Sequence, residues 1–545
     1  MMFTFLLLAT TVIACFLAYL YLPHNNIKHP TKNTLILICW AMIFIAVMLM
    51  GNYLAVVGIP FSSQATSVDF FDCLSYDYIY NFIQMYIIYG IIGGICFILY
   101  KFRIKPYWII LFLGLFSIII YYPGIPYNDT NDLYGYYLAH QYSDWQPALY
   151  SIWWNIFHFY GAAFLANNLS YYIGLTYISY YLSTQNKNWQ NYLLVIFSIT
   201  PIYFTQLNIV LKDTLFAGLL IDVIALYILS KRTSTPLLRI LCYLVSILLL
   251  FLVVGTRYNG FTVVLPMLTL IIWSLINVYN WSKLRKIVVS IVGAIFITYI
   301  FVQANLFVVY KIFNASKNYT LTLVMQNDLA NIECRTNHEF QMPAGLFVDQ
   351  ASINNLRQQM CTPLVLNEYN YDPLTSANWN NSGNPKVLFE NGREEQFNMV
   401  KKIWFPTILR HPFIYSYYRL RFILNDLLAQ YYRSTYVMTK INEWPEGLEK
   451  PDTYNPQILA VQKILAEFSL VQRMDMRYLL GIFIIIGTIA TLFYLIMAKN
   501  YSIAFFIVLA NIFALFGLYL ALGSHAARFF LWNDIATLLA ILLIE

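Results

Sequence analysis

Apolar stretches recur along this chain from Phe3 to its C-terminal end, each about the ~20 residues that an α-helix needs to cross a hydrocarbon layer. A chain built from such runs has few ways to fold. Inside a bilayer every backbone N–H and C=O must be paired within the protein, so the runs form helices packed side by side rather than an open sheet. Charged residues make up only 11% of the 545 positions, against roughly 25% in soluble proteins, which excludes an ordinary soluble fold. The expected fold class is an all-α polytopic membrane protein of about 13 transmembrane helices. Its runs start near Phe3, Thr34, Ile79, Tyr107, Asn168, Tyr192, Thr214, Leu237, Phe261, Ile287, Tyr478, Ile503 and Phe529. Those at Tyr107 and Tyr192 are short enough for one of them to enter the membrane only part-way. The first run lacks a charged leading segment and a small-residue cleavage site, and is expected to be retained.

Charge then orients the runs. One polar insertion, 313–476, holds 16 of the 26 acidic and 15 of the 33 basic residues, leaving ten acids and eighteen bases in the membrane part. Thirteen of those eighteen fall in alternate loops: Lys28, Lys32, Lys101, Arg103, Lys105, Lys187, Lys231, Arg232, Arg239, Lys283, Arg285, Lys286 and Lys499. The positive-inside rule puts these loops in the cytoplasm. The net charge of +7 is thus a topology signal, and no basic face for nucleic acid is expected. Lys212, Arg257, Lys311, Arg477 and Arg528 sit at helix ends on the opposite, outer side, as do Asp69, Asp72, Asp77, Asp129, Asp132, Asp144 and Asp213. Asp222 is a mid-span acid and is expected to face the bundle, for a structural hydrogen bond or a function. The domains follow as a membrane part over 1–312, an outer α-rich insertion over 313–476 and C-terminal membrane helices over 477–545.

Within the insertion, Cys334 and Cys361 are the only cysteine pair, and on an oxidising side a disulfide is the favoured reading. No CxxC or His/Cys spacing points to zinc. Tyr415, Tyr417, Tyr418, Arg419, Arg421, Tyr431 and Tyr432 read as an interfacial helix lying on the bilayer, where aromatic and arginine side chains anchor well.

The outer loop at 123–147 is the most informative stretch. It runs Tyr122-Pro123-Gly124-Ile125-Pro126-Tyr127-Asn128-Asp129-Thr130-Asn131-Asp132, and then Ser143-Asp144-Trp145-Gln146-Pro147-Ala148-Leu149-Tyr150. Three further outer motifs accompany it: Leu211-Lys212-Asp213, Thr256-Arg257-Tyr258-Asn259-Gly260 and His525-Ala526-Ala527-Arg528-Phe529. Together these resemble bacterial inner-membrane glycosyltransferases of the GT-C superfamily, most closely over Tyr122–Gly260. The histidine usual in the family's DWHP pattern is Gln146 here. The resemblance implies a multi-pass inner-membrane enzyme with its active site facing the periplasm. Its donor would be a polyprenyl-phosphate-linked sugar, and its acceptor a glycan or lipid-linked molecule such as lipopolysaccharide O-antigen. No cofactor is implied beyond the donor itself.

Elementary chemistry assigns roles consistent with that resemblance. Glycosyl transfer from a phosphate carrier needs a carboxylate to accept the acceptor's hydroxyl proton and cations to meet the departing phosphate. Asp129 is the first choice for the base, with Asp144 its main rival and Asp132 third. If a helix starts at Thr130, Asp129 serves as its N-cap. Arg257 leads for the phosphate, with the bland alternative of an interfacial anchor or a pair with Asp213. Lys212 and Arg528 are second choices, and Asn259, Asp213 and Gln146 complete the binding set. His411 and His525 read as structural hydrogen-bonders, and activity is expected to be metal-independent. Tyr127, Trp145, Tyr150, Trp153 and Trp154 read as interface anchors before sugar-stacking rings. An O-antigen polymerase or ligase is the nearest rival function, one that would rely on Arg and His rather than on an early-loop Asp. A transporter or flippase is less favoured, because the charges cluster at helix ends and the insertion has no counterpart in the other half.

Overall fold

A computed structural model describes residues 94, 96, 99–126, 128–199, 201–319, 321–336, 394–428, 473–498, 502–521 and 530–544. The expected runs at Phe3 and Thr34 and most of the one at Ile79 lie outside the described residues, as do Tyr127, Cys361, His525, Arg528 and the side chain of Cys334. Among the described residues the protein is all-helical, with no strand and only two isolated parallel bridges.

Among the described residues the membrane part up to the insertion contains α1 (Pro106–Tyr121), α2 (Asn128–Ala139), α3 (Ile152–Phe157), α4 (Gly161–Thr184), α5 (Asn188–Ile199), α6 (Pro201–Asn208), α7 (Lys212–Arg232), α8 (Pro236–Thr256), α9 (Gly260–Ile276) and α10 (Lys283–Phe307). The insertion contributes α11 (Leu321–Arg335), α12 (Glu394–Arg410) and α13 (Pro412–Leu428), and the C-terminal part α14 (Arg473–Met497), α15 (Ile503–Ala521) and α16 (Leu531–Leu542). Each of the ten remaining expected runs coincides with one of these helices. Among the described residues, four stretches are long and apolar enough to cross a membrane: Lys212–Arg232, Pro236–Thr256, Lys283–Ile312 and Ile503–Leu520. The others are shorter in their apolar part or, like α4 with its Asn167, Asn168 and tyrosines, more polar.

Burial shows which helix is central. In α7, 78% of the apolar stretch is buried, against 22% in the stretch that contains α10. Helix α7 packs between α4 and α8 and also touches α16, whereas α8 and α10 turn Leu237, Leu244, Leu248, Ile295, Phe296 and Tyr299 outward. In water such a surface is costly; facing lipid it is not. Helix α16 is buried along its whole length.

The α4–α7 contact depends on glycine. A Cβ on Gly218 would lie 2.9 Å from Ser170 Cβ and 3.0 Å from the Tyr171 backbone nitrogen, and one on Gly174 would lie 2.7 Å from Asp222 Oδ1. Asp222 thus faces α4, where Ser170 hydrogen-bonds to it, and its position is accounted for by helix packing. Because backbone cannot yield as a side-chain tip can, Gly218→Val is expected to destabilise the protein by about 1–3 kcal/mol, read as earlier thermal unfolding in detergent.

The helix ends sort into two groups. At one end, Lys187 donates to the carbonyls of Leu542 (3.2 Å) and Ile544 (2.7 Å), Arg232 bonds Thr184 (2.6 Å), Lys231 bonds Ser274, and Lys286 bonds Asn277 (3.1 Å). These contacts tie together the C-terminal ends of α4, α7, α9 and α16 with the start of α10. The opposite end of α7 carries Lys212 and Asp213, which meet Asp129 of α2 and Arg257 at the C-cap of α8.

Candidate active site

Two short backbone pairings build this second end. The first joins the Pro-Gly-Ile segment after α1 to the segment before α7: Ile125 N–H donates to Asn208 O (2.9 Å), and Val210 N–H donates to Ile125 O (3.0 Å). Gly124 makes the approach possible, since its φ of +103° lies in the left-handed region and an added Cβ would meet Val210 and, at 2.8 Å, Phe164. The Thr130 hydroxyl adds a bond to the Val210 carbonyl. The start of α2 is thereby fixed beside the start of α7. Gly124→Ala is expected to combine a strained φ with a steric clash, lowering thermal stability by about 2 kcal/mol or more. Any activity of the site should fall with it, because the pairing locates Asp129.

Asp129 lies in the first turn of α2, which starts at Asn128, so it is part of the helix rather than the N-cap expected for a start at Thr130. Its Oδ2 is 3.4 Å from Lys212 Nζ, and the same ammonium donates to Gln146 Oε1. A cation on the first residue of a helix opposes the helix dipole, and here Asp129 and the adjacent Asp213 offset it. Asp213 is buried in the first turn of α7, 3.0 Å from Arg257 Nη1 at the C-cap of α8. The guanidinium also lies over the Phe216 ring, 5.4 Å from its centroid. The pair with Asp213 that was the bland alternative for Arg257 is therefore present.

Asp144 occupies a different setting from Asp129. The second pairing joins it to the chain following α10: Ser316 N–H donates to Tyr142 O (2.9 Å) and Asp144 N–H donates to Ser316 O (3.0 Å). Its carboxylate accepts from the Asn318 backbone N–H (2.5 Å) and the Tyr310 hydroxyl (2.7 Å), and its carbonyl accepts from the Tyr258 hydroxyl. Both carboxylate oxygens are engaged in fastening the loop, which makes Asp144 a clasp. Asp132 lies one turn after Asp129, exposed at the rim; protein around its carboxyl group and the neighbouring Asp129 charge raise its pKa, against the pull of Lys212.

Gln146 stands between the clasp and the bundle. After it, Leu149 fills the space left by Gly255 of α8, and the Tyr150 hydroxyl donates to Asn167 Oδ1 (3.4 Å), whose Nδ2 donates to the Leu211 carbonyl (3.0 Å). Asn259 ends the 257–259 turn, packed against Gly517 of α15. Tyr150 and Trp154, candidates for sugar stacking, are fully buried core residues.

The structure thus gathers Asp129, Asp132, Asp144, Gln146, Lys212, Asp213, Arg257 and Asn259 at one end of the bundle. Tyr310 and Asn318 were not among the sequence candidates; nothing local marks them, and only the Tyr-rich, polar stretch after α10 hints at their contact with an outer loop. Arg419 departs from expectation. Rather than lying at a membrane surface, it is 2% exposed and pairs at 2.7 Å with Asp328 of α11, which also accepts from Trp404 Nε1 at 2.8 Å. Among the described residues there is no group of three or more His, Cys, Asp or Glu side chains placed to hold a metal ion. No family model matches the chain, and neither a curated protein nor a solved structure matches it.

Proposed function

We propose that this protein is an integral membrane glycosyltransferase of the GT-C type, which moves a sugar, with inversion, from a polyprenyl-phosphate carrier to a glycan or lipid-linked acceptor. Its setting is the periplasmic face of a bacterial inner membrane, and the acceptor class is lipopolysaccharide O-antigen or a similar glycan. One observation carries the reading: Asp129 and Lys212 are 3.4 Å apart at the end of an apolar bundle, beside the buried Asp213–Arg257 pair. On this reading a carboxylate and two cations serve a lipid-linked phosphate arriving from the membrane and the glycan or lipid-linked acceptor that meets it.

In this mechanism Asp129 accepts the proton of the acceptor hydroxyl as its oxygen attacks the anomeric carbon. The bond from that carbon to the phosphate oxygen breaks, and the carrier phosphate leaves with the electron pair. Arg257 and Lys212 stabilise the developing negative charge, for which the Arg fork and the Lys point charge are suited in different ways. Asp213 orients Arg257, and Gln146 holds Lys212 away from full collapse onto Asp129, a task that needs a hydrogen-bond acceptor and no titrating imidazole. The test is transfer of radiolabelled sugar from polyprenyl-phosphate donors to lipopolysaccharide precursors in membranes containing the protein or its Asp129→Asn variant at equal expression. Transfer that disappears with the substitution supports the reading; no transfer from any of several donors overturns it.

A further inference from the structure

Helix α2 carries Asp129, Asp132 and Tyr136 at spacings of three and four residues, so they share one face. Tyr136 lies near Asp132 and hydrogen-bonds with Ser143. Across from it is the 257–259 turn, where Tyr258 has Asp144, Tyr310 and Tyr136 as its electrostatic neighbours. Tyr258 is unusual among the rings of this end. Its hydroxyl is tied to the Asp144 carbonyl, yet the residue is 50% exposed. The aromatic residues that sequence would choose for stacking, Tyr150 and Trp154, are 1% and 0% exposed.

A ring whose hydroxyl is fastened while half of the residue stays exposed is already oriented, so covering it costs little conformational freedom. It neighbours Tyr136, which lies one turn along α2 from the exposed Asp132, and directly follows Arg257. An apolar face bordered by a hydrogen-bonding rim is the complement of a pyranose, which has C–H bonds on one face and hydroxyls around its edge. We propose that the open face of Tyr258 is the platform on which a pyranose ring of the reaction lies, with Asp132 hydrogen-bonding to its hydroxyls. This assignment rests on the glycosyltransferase reading above. The sugar is that of the lipid-linked donor or the terminal residue of the acceptor, and Tyr258 selects for ring shape.

The full-length protein in detergent, assayed with each substrate varied in turn, tests this through Tyr258→Leu and Tyr258→Phe. Leu removes both ring and hydroxyl, whereas Phe removes only the strap to Asp144. Tyr258→Leu is expected to raise KM about 3- to 10-fold for one sugar substrate, and Tyr258→Phe to leave that KM within about twofold. A raised donor KM places the donor sugar on the ring, and a raised acceptor KM places the acceptor there. Equal losses in Leu and Phe would show a strap for the loop, and lowered stability with both KM values unchanged would show an interfacial anchor; either overturns the platform while sugar transfer itself persists. Absence of transfer by the unmodified protein overturns the parent reading and this one together.

Discussion

Asp129→Asn is expected to lower the rate of sugar transfer by about 10²- to 10⁴-fold while leaving the protein folded, the range set by loss of a positioned general base. An amide keeps the shape of the carboxyl group and cannot take up the acceptor's proton. The stability cost is expected to be small, because the Asp129 and Lys212 side chains are 20% and 13% exposed and solvent screens their interaction. Rate and thermal unfolding therefore separate: kcat collapses and the melting transition stays close to that of the parent. Asp144→Asn is expected to behave in the opposite manner. It weakens the clasp on Asn318 and Tyr310, so its loss of activity should accompany a loss of thermal stability. If Asp129→Asn retains full activity, the base is Asp132 or Asp144.

The second large effect lies in the insertion. Arg419→Met is expected to destabilise the protein by about 3–5 kcal/mol, because it leaves the Asp328 carboxylate buried without its cation. The double substitution Asp328→Leu with Arg419→Met removes both charges and is expected to recover most of that loss. Thermal unfolding of the two variants in detergent measures the difference. A single variant as stable as the parent would show that Asp328 is neutral in the fold. The consequence extends to the membrane part, since α13 packs against α14 and α15 as well as α11.

Much of this arrangement was legible in the sequence, because its causes are local. Helices α7, α8, α10 and α15 follow from apolar runs, and the segregation of charge between helix ends predicted which ends would meet. Asp129, Lys212, Asp213, Gln146 and Arg257 could be grouped because each belongs to a loop or helix terminus of the same polarity. What remained hidden depends on tertiary contact. The clasp at Asp144 involves Tyr310 and Asn318, which are 166 and 174 residues away. Arg419 looked interfacial because its neighbours are tyrosines; its partner Asp328 lies 91 residues earlier, beyond any helical periodicity. Tyr150 and Trp154 share the composition of surface anchors, and only packing against α4 and α8 makes them core. A helix start at Thr130 would make Asp129 its cap; α2 starts at Asn128 instead, which puts Asp129 in its first turn.

The separation of 174 residues between the two halves of the clasp also has a meaning in time. At about 5–20 residues per second, synthesis reaches Asn318 roughly 10–35 s after Asp144 has emerged. During that interval the early helices can enter the membrane and pair, but the carboxylate of Asp144 still has water in place of its partners. The clasp at this end is therefore a late product of biogenesis, assembled only after α10 has been synthesised. A nascent chain halted between Arg257 and Asn318 has Asp129, Lys212 and Arg257, yet lacks the fastening that holds Gln146 against them.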